Sequence, residues 1–203
     1  MSALNSIYFC CLICTAFLSG CALSGSKYYP VTDYAPRQST MGFSITPPPG
    51  KGWFERHQED SLYYLKKTRP QLYSIYTKAT EIHVDEAFRL TKDFHEYVKS
   101  RKEFRQPPVG YRNIEFRYAD IDKLSPFCVR YSNTFEDHGG QSASGKTFFR
   151  VEKTGILCMH PESPQDGIDM YYMERSLSSA ASPSFHKEGE QFLSSLRFNP
   201  MVN

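Results

Sequence analysis

The chain has 203 residues, of which 40% are hydrophobic and 23% are charged, and its formal net charge is +2. This length and composition are typical of one globular domain whose core is large enough to fold without metal or disulfide staples. The near balance of charge excludes the strongly basic surface that nucleic-acid-binding proteins use, so no nucleic-acid partner is expected.

The chain begins with an apolar run from Ile7 to Leu18. A membrane-spanning helix needs about 20 apolar residues, whereas the apolar core of a secretory signal peptide needs only about 7–15. The run therefore predicts a signal peptide over residues 1–20, although no Lys or Arg precedes Lys27 to form the usual positive start. The alternative is a buried N-terminal helix. Four cysteines and no charged side chain among residues 1–21 suit a soluble domain badly.

A short motif, Leu18-Ser19-Gly20-Cys21, ends this segment. It resembles the lipobox of bacterial lipoproteins, in which the signal peptide is cut before the cysteine and the cysteine sulfur receives a diacylglycerol. The resemblance implies a mature protein that begins at Cys21 and is held on a membrane of the bacterial envelope by its own lipid. Ala22 rather than Asp follows the cysteine, which in this family implies export to the outer membrane, on its periplasmic side.

Residues 21–40 are predicted to be a flexible tether, because Gly, Ser and Pro interrupt any periodic pattern. A random coil of this length would span roughly 25 Å, enough to hold a domain clear of the lipid headgroups. Residues 41–203 are predicted to form a single α+β domain.

The hydrophobic pattern of this domain alternates between strand-like and helix-like periods. Segments rich in Tyr, Phe, Ile and Val with period two predict strands, and apolar residues three or four positions apart predict helices. Strands are predicted at Phe43–Ile45, Ser61–Lys67, Leu72–His83, Tyr111–Tyr118, Pro126–Glu136, Lys146–Met159 and Ile168–Arg175. Helices are predicted at Asp85–Phe104, with Asp85 as N-cap, and from Ser182-Pro183 onward.

Cys128 and Cys158 are the two cysteines left once the signal peptide is removed and Cys21 is lipidated, an even pair in an oxidising compartment. If they lie opposite each other in an antiparallel hairpin, apolar residues face apolar residues along one side of the pair. The other side then places Glu136 opposite Arg150 as an ion pair. We therefore predict this hairpin and a disulfide between the two cysteines.

The order of strands, helix, strands and helix predicts an α+β fold, an antiparallel β-sheet of about six to seven strands covered by two helices. Phe43-Ser44-Ile45, followed by prolines and Gly52-Trp53, and the closing segment Phe192–Phe198 resemble the two ends of PsbP-like domains. That resemblance implies an α/β/α sandwich and an accessory or assembly role without catalytic residues.

One phosphate-binding pattern, G-x-x-x-x-G-K-[ST], occurs at Gly140–Thr147. The pattern binds nucleotides when a helix begins at its Lys, because helix N–H groups then face the phosphates. Residues 148–152 alternate like a strand instead, and an exported compartment lacks a steady ATP supply. Neither a nucleotide nor any other cofactor is expected.

The six histidines are scattered and none belongs to a zinc-binding pattern, so no metal site is expected. Two arrangements remain for catalysis. His160 could activate a reduced Cys158 on one side of a strand, and His138 follows Asp137 as an acid–base pair. A lipid-anchored hydrolase assembled from these groups and Glu174 is the enzymatic alternative, which a pocket holding two of them would favour.

Adjacent tyrosines give the main indication of a binding surface. In Tyr63-Tyr64 and in Tyr171-Tyr172 one ring lies on each side of a strand, and tyrosine favours interfaces because it combines a large contact area with a polar tip. The alternative is packing between helix and sheet. The candidate binding surface consists of Tyr171, Tyr172, His138 and His160.

The sequence therefore predicts a lipid-anchored envelope protein that acts as a non-catalytic accessory or protein-interaction factor, with an envelope protein as its partner. The alternatives are the lipid-anchored hydrolase and a module that binds glycans or small ligands through its tyrosines.

Overall fold

A computed structural model describes residues 27–67, 73–121, 123–139, 148–177 and 183–201. The predicted signal peptide, Cys21 and the phosphate-loop pattern at Gly140–Thr147 lie outside the described residues. No helix within the described ranges is long and apolar enough to cross a bilayer.

The described residues form eleven strands and two helices. The strands are β1 (Tyr29–Pro30), β2 (Arg37–Gln38), β3 (Phe43–Ile45), β4 (Phe54–Gln58), β5 (Ser61–Lys67), β6 (Tyr73–His83), β7 (Tyr111–Asp120), β8 (Cys128–Asp137), β9 (Phe149–Met159), β10 (Asp166–Leu177) and β11 (Arg197–Phe198). The helices are α1 (Thr91–Lys102) and α2 (Pro183–Leu193).

An eight-stranded antiparallel sheet organises the fold, in the order β1-β4-β5-β6-β10-β9-β8-β7. A three-stranded sheet, β11-β3-β2, joins the end of the described chain to its beginning. The fold is α+β and mainly antiparallel, as predicted, but it has more strands than the six to seven expected. The additional strands gave no signal because β1, β2 and β11 have two residues each and β4 reads Phe-Glu-Arg-His-Gln.

The two faces of the large sheet carry separate hydrophobic clusters, because neighbouring residues of a strand point to opposite faces. On β9, Ile156 belongs to the cluster that includes Phe192 of α2. The next residue, Leu157, belongs to the cluster that includes Phe94 and Val98 of α1. We call these two sides the α2 face and the α1 face.

Helix α2 begins at Pro183, within the predicted Ser182-Pro183 start. Gly189 allows the helix to approach the sheet, because a Cβ at this position would lie 2.5 Å from the ring of Tyr172. The apolar stripe of this helix is buried, and it consists of Phe185, Phe192, Leu193 and the following Leu196.

Polar contacts also hold α2 on the sheet. Glu188 forms an ion pair with Lys66 of β5 at 2.7 Å, and it accepts a 2.8 Å hydrogen bond from Nε1 of Trp53. Both charged side chains are largely buried. The carboxylate of Glu188 therefore fixes the helix both to β5 and to the loop that precedes β4.

Strands β8 and β9 pair in the predicted register, with Cys128 opposite Cys158. The two cysteines form a disulfide, and both are buried within the cluster of the α2 face. The hairpin prediction is therefore confirmed.

The ion pair predicted for this hairpin is wrong. Glu136 lies opposite Arg150 as expected, but Nε of Arg150 contacts Glu152 at 2.6 Å. Glu136 in turn contacts His138 at 2.8 Å. Each charge has found a partner two positions away on its own stretch of chain, because such neighbours lie on the same side of an extended backbone.

Helix α1 begins at Thr91 rather than near the predicted N-cap Asp85, and the N-cap position, Leu90, makes no side-chain capping bond. Phe88 explains the late start, because its ring packs 5.0 Å from that of Phe94. Residues six positions apart lie on different sides of a continuous helix. This contact therefore requires a non-helical segment before Leu90.

Part of the predicted tether over residues 21–40 is folded. Strand β1 pairs with β4, and β2 pairs with β3. Arg37 forms an ion pair with Glu55 at 3.1 Å, and the hydroxyl of Tyr34 donates a 2.6 Å hydrogen bond to the carbonyl of Gly50. The domain therefore includes residues before the predicted start at residue 41.

Strands β1 and β7 form the two edges of the large sheet. β1 has two residues and ends in Pro30. The ten-residue β7 shifts its register on β8 between Arg112 and Glu115, where Asn113 has a φ of 51°. A bulge of this kind interrupts the ladder and bends the strand locally.

Candidate binding surface

The structure separates the two tyrosines of the predicted surface. Tyr171 packs with the cluster of the α1 face and Tyr172 with that of the α2 face. On β5, Tyr64 is likewise buried in the α2-face cluster, while Tyr63 stays half-buried. The prediction that each pair places one ring on each face is confirmed.

Tyr172 is a core residue rather than part of a binding surface. It is 1% exposed, its hydroxyl donates a 2.7 Å hydrogen bond to Glu190, and burial raises its pKa. Tyr64 is 0% exposed and packs edge-on against Phe192 at 5.7 Å. These two rings show the helix–sheet packing that the sequence left open as the alternative.

His160 is also structural. It is 1% exposed, and its Nε2 lies 3.1 Å from the carbonyl oxygen of Gly42 and 3.0 Å from that of Asn199. Its Nδ1 accepts hydrogen bonds from the backbone N–H groups of Glu162 and Ser163. Both ring nitrogens are used to join three segments, which the sequence did not indicate because all these contacts depend on tertiary structure.

His138 does not meet His160. Its ring stacks on Phe148 at 4.8 Å, just before β9, whereas His160 follows the last residue of β9. An eleven-residue strand separates its ends by roughly 30 Å. Cys158 is in a disulfide and has no thiolate to offer. The two histidines are therefore not brought together, and Cys158 is not available as a nucleophile.

Tyr171 is surrounded on its face by partly exposed polar and aromatic side chains. Six half-buried side chains lie together beyond the area that α1 covers, and we call this area the open face. It consists of Arg56, Tyr63, Tyr76, Lys78, Lys153 and Tyr171.

Strand pairing aligns four of these residues in one row across the sheet. Arg56 is opposite Tyr63, Tyr63 is opposite Lys78, and Lys78 is opposite Tyr171. Positively charged residues and tyrosines therefore alternate from β4 to β10. Tyr76 lies beside the row, with its ring 5.9 Å from Tyr63 and 6.0 Å from Tyr171, so the three rings form one contiguous aromatic surface.

Each cation of the open face lies over a tyrosine ring. Cζ of Arg56 is 4.5 Å and Nζ of Lys78 is 5.0 Å from the centroid of Tyr63, while Nζ of Lys153 is 3.9 Å from that of Tyr171. These distances are within the range of attractive cation–π contacts. Among the described residues, none of the three cations forms a salt bridge with a carboxylate.

The row is closed at its other end by α1. Beyond Tyr171 it continues to Gly155 and then to Tyr131, whose hydroxyl donates a 2.7 Å hydrogen bond to Asp169. Lys102 of α1 forms an ion pair with the same carboxylate. Gly155 makes the arrangement possible, because a Cβ there would lie 2.5 Å from the Tyr131 ring.

The chain matches no protein-family model and no curated protein. Within the described ranges, no group of three or more His, Cys, Asp or Glu side chains could hold a metal ion. The chemistry of the open face therefore has to be derived from its own side chains.

The open face has a positive electrostatic potential. Burial and the neighbouring charges of Lys102 and Lys78 lower the pKa of Lys153 to about 8, although Asp169 acts in the opposite direction. Burial raises the pKa of Tyr171 to about 12, so its phenol stays neutral and can donate a hydrogen bond. Burial disfavours either sign of charge, whereas the repulsion from Lys102 and Lys78 is the part of the shift that a nearby anion would relieve.

A concave site lies between the loop before β4 and the end of α2, with a volume of about 750 Å³. Its polar groups are already used internally. Ser195 donates a 2.7 Å hydrogen bond to the carbonyl of Phe192 and accepts one from the N–H of Thr46 at 3.0 Å. Arg197 donates to the carbonyl of Ser194 at 2.8 Å. The cations of the open face pair with no carboxylate among the described residues, so this face is the better candidate site.

Sequence reasoning identified Tyr171 but missed Arg56, Lys78 and Lys153. Alternation along each strand places these residues on one face of the sheet. Whether they are neighbours on that face can be known only from the register in which the strands pair. The cysteine pair fixed the register of β8 and β9 alone. No comparable marker linked β5, β6 and β10, and β6 and β10 are far apart along the chain.

Proposed function

We propose that the protein is a lipid-anchored accessory protein of a bacterial envelope that binds a protein partner through the open face and has no catalytic role. The observation that carries the proposal is the open face itself, where three half-buried tyrosines and three cations lie on a part of the sheet that no described helix covers. Tyrosine and arginine are enriched at protein interfaces, where they contribute much of the binding energy.

The lipobox-like motif at Leu18–Cys21 supports the location in this proposal, on the periplasmic side of the outer membrane. The disulfide between Cys128 and Cys158 also supports it, because disulfides persist mainly in exported proteins. The test is membrane fractionation of cells that produce the wild type or Cys21→Ala. We expect the wild type in the membrane pellet after a salt wash and the variant in the soluble fraction or uncleaved.

The finer assignment of the fold, a PsbP-like α/β/α sandwich, is part of the same proposal. Helices on opposite faces of an antiparallel sheet support it, as does the pairing of Phe43 in β3 with Phe198 in β11, which brings together the two ends that carry the resemblance. An accessory role without catalysis is what that resemblance implies.

Partner binding is tested by photo-cross-linking in intact envelopes. A photoreactive amino acid is placed at position 63, in the open face, and at position 187, an exposed residue of α2. We expect a discrete protein adduct from position 63 and none from position 187. Equal labelling at both positions, or labelling at neither, would contradict the proposal.

A glycan- or small-ligand-binding module is the second candidate, favoured by the half-buried ring of Tyr171 beside Lys153. This candidate predicts that a glycan binds the purified protein and that Tyr171→Ala abolishes binding. Tyr172→Ala cannot serve as the test, because Tyr172 is buried in the core.

A further inference from the structure

The charge of the open face is unbalanced. The whole chain has a formal net charge of +2, whereas Arg56, Lys78 and Lys153 bring three positive charges to this one area. Two other cations on the same side of the sheet are paired with carboxylates. Lys102 pairs with Asp169, and Arg175 lies 3.4 Å from Asp137.

The chain has no acidic segment of its own to cover this face. Of its 22 Asp and Glu residues, Asp122 alone lies outside the described ranges. A carboxylate of another molecule would supply the neutralising charge. An approaching carboxylate would also relieve the mutual repulsion that, together with burial, lowers the pKa of Lys153 to about 8.

Apolar groups lie next to the charged row, which restricts the kind of molecule. Leu65 is opposite Phe54 and also opposite Tyr76, and Tyr76 is opposite Met173. Phe54 is 42% exposed, and Leu65 and Met173 are half-buried. A polypeptide can supply carboxylates and apolar side chains together, whereas an acidic polysaccharide supplies the charge without the apolar groups.

The spacing of the cations restricts the segment further. Arg56 and Lys78 lie on strands two apart in the sheet, as do Lys78 and Lys153, and neighbouring strands are about 4.8 Å apart. Arg56 and Lys78 share the row and are therefore about 10 Å apart. Lys153 lies two residues along β9 from Gly155, the row position on that strand, and is therefore about 12 Å from Lys78. A polyproline II segment has three residues per turn and rises about 3.1 Å per residue, so carboxylates at every third position lie on one side of it at intervals of about 9 Å.

We propose that the open face binds an extended acidic segment of a partner protein, with Asp or Glu at every third position and apolar residues between them. Its carboxylates reach Arg56, Lys78 and Lys153, and its apolar residues lie against Tyr76 and its apolar neighbours. This inference rests on the proposed function of partner binding and adds the chemistry of the partner.

The test uses the full-length lipoprotein purified in a neutral detergent and a fluorescent synthetic peptide with Glu at every third position and Leu or Phe between. We expect saturable binding that weakens as salt is added, because partly exposed charges are screened. The same peptide with Gln in place of Glu should not bind. A peptide with Glu at every second position should bind more weakly than the every-third peptide, and equal binding would overturn the spacing argument.

Two variants localise the binding. The double variant Lys78→Gln with Lys153→Gln should bind the peptide about tenfold more weakly, since two partly exposed charge pairs together contribute about that factor. The control is Lys187→Gln, which removes one charge from an exposed site on α2 and should bind like the wild type. In the control and the wild type the pKa of Lys153 should rise when the peptide binds, a change that a purely structural lysine would not show.

Several results would overturn the inference. These are stronger binding of an acidic polysaccharide or of vesicles of anionic lipid than of the peptide, peptide binding unchanged in the double variant, or self-association of the protein that the double variant abolishes. The cross-link from position 63 separates this inference from the proposed function. An envelope adduct that persists in the double variant keeps partner binding and rejects an acidic segment, whereas the absence of any adduct in the wild type rejects the proposed function.

Discussion

The two faces of the eight-stranded sheet use tyrosine for opposite purposes. On the α2 face, Tyr64 and Tyr172 are 0% and 1% exposed and belong to the core. On the α1 face, Tyr63 and Tyr171 are half-buried and lie beside cations. The residue type and even the dipeptide are the same, so the difference comes from what packs above each ring.

The two helices account for this difference. α2 buries a broad apolar stripe and is fixed by the carboxylate of Glu188. α1 buries only Phe94 and Val98, and its last turn is basic. A helix with a narrow apolar stripe covers a small area, so α1 leaves part of its face open. The cations there make the uncovered area suited to binding rather than to closure.

The sharpest test of this comparison replaces each of the two adjacent tyrosines by alanine in separate variants. Tyr172→Ala should lower the free energy of unfolding by about 3–5 kcal/mol, the usual loss for a large buried aromatic ring. Tyr171→Ala should lower it by only about 1 kcal/mol, because part of its ring already contacts water. Urea denaturation measures both, and equal losses would remove the distinction between the faces.

Removing the disulfide tests how much the covalent link adds to the stability of the cluster on the α2 face. Replacing Cys128 and Cys158 together by Ala should cost about 2 kcal/mol. This is less than the roughly 3–4 kcal/mol expected from loop closure alone, because β8 and β9 are already held in register by their ladder. Thermal unfolding of the double variant and of reduced wild type should agree, and an unchanged midpoint would contradict the expectation.

Substituting Gly155 tests whether the α1 face depends on the close approach of the Tyr131 ring to β9. Gly155→Ala should cost about 1–3 kcal/mol, because the new methyl group meets the ring of Tyr131 and the carbonyl of Met170. Gly139→Ala is the matched control, since its Cβ would meet no atom closer than 3.3 Å. A loss confined to Gly155→Ala, measured by urea denaturation, would support the close approach, and similar losses in both variants would not.

The smallest effect concerns the charge of the open face. The pKa of Lys153 is lowered in the folded protein to about 8 from an ordinary 10.5, so the folded state disfavours its proton. Below pH 8 the lysine is protonated both folded and unfolded, and the penalty is complete. The penalty shrinks as the pH rises from about 8 towards 10.5.

Lys153→Met should therefore stabilise the protein at pH 7 by about 1 kcal/mol. This gain should shrink as the pH rises from 8 towards 10.5. Lys187→Met, on the exposed side of α2, should show no such dependence. Denaturation curves at several pH values give the comparison, and a destabilised Lys153→Met at pH 7 would mean that the ammonium group contributes favourably to the fold.

The sequence was informative wherever local pattern and packing agreed. The long strands follow from alternation, the start of α2 from a capping residue followed by proline, and the register of β8 and β9 from the cysteine pair. It was uninformative where tertiary contacts decide. The start of α1 depends on Phe88 packing, and the short strand β1 has a partner that comes later in the chain.

For the same reason, only the part of the candidate site that depends on local alternation could be predicted. Alternation shows that Tyr171 and Tyr172 point to opposite faces, but it does not show which face a helix covers. His160 has no local sign of burial, because its hydrogen-bond partners come from Gly42, Asn199 and a following turn. Lys153 became relevant only when β9 was placed beside β10.

The edges of the large sheet have a consequence for how copies of this protein meet when they are crowded together. A long, regular outer strand would offer unpaired N–H and carbonyl groups to the next molecule and would promote growth into ribbons. Here the edge strand β1 has only two residues and ends at a proline. The other edge strand, β7, is bent at Asn113, near the charged Arg112 and Glu115. Lateral crowding should therefore leave the molecules separate.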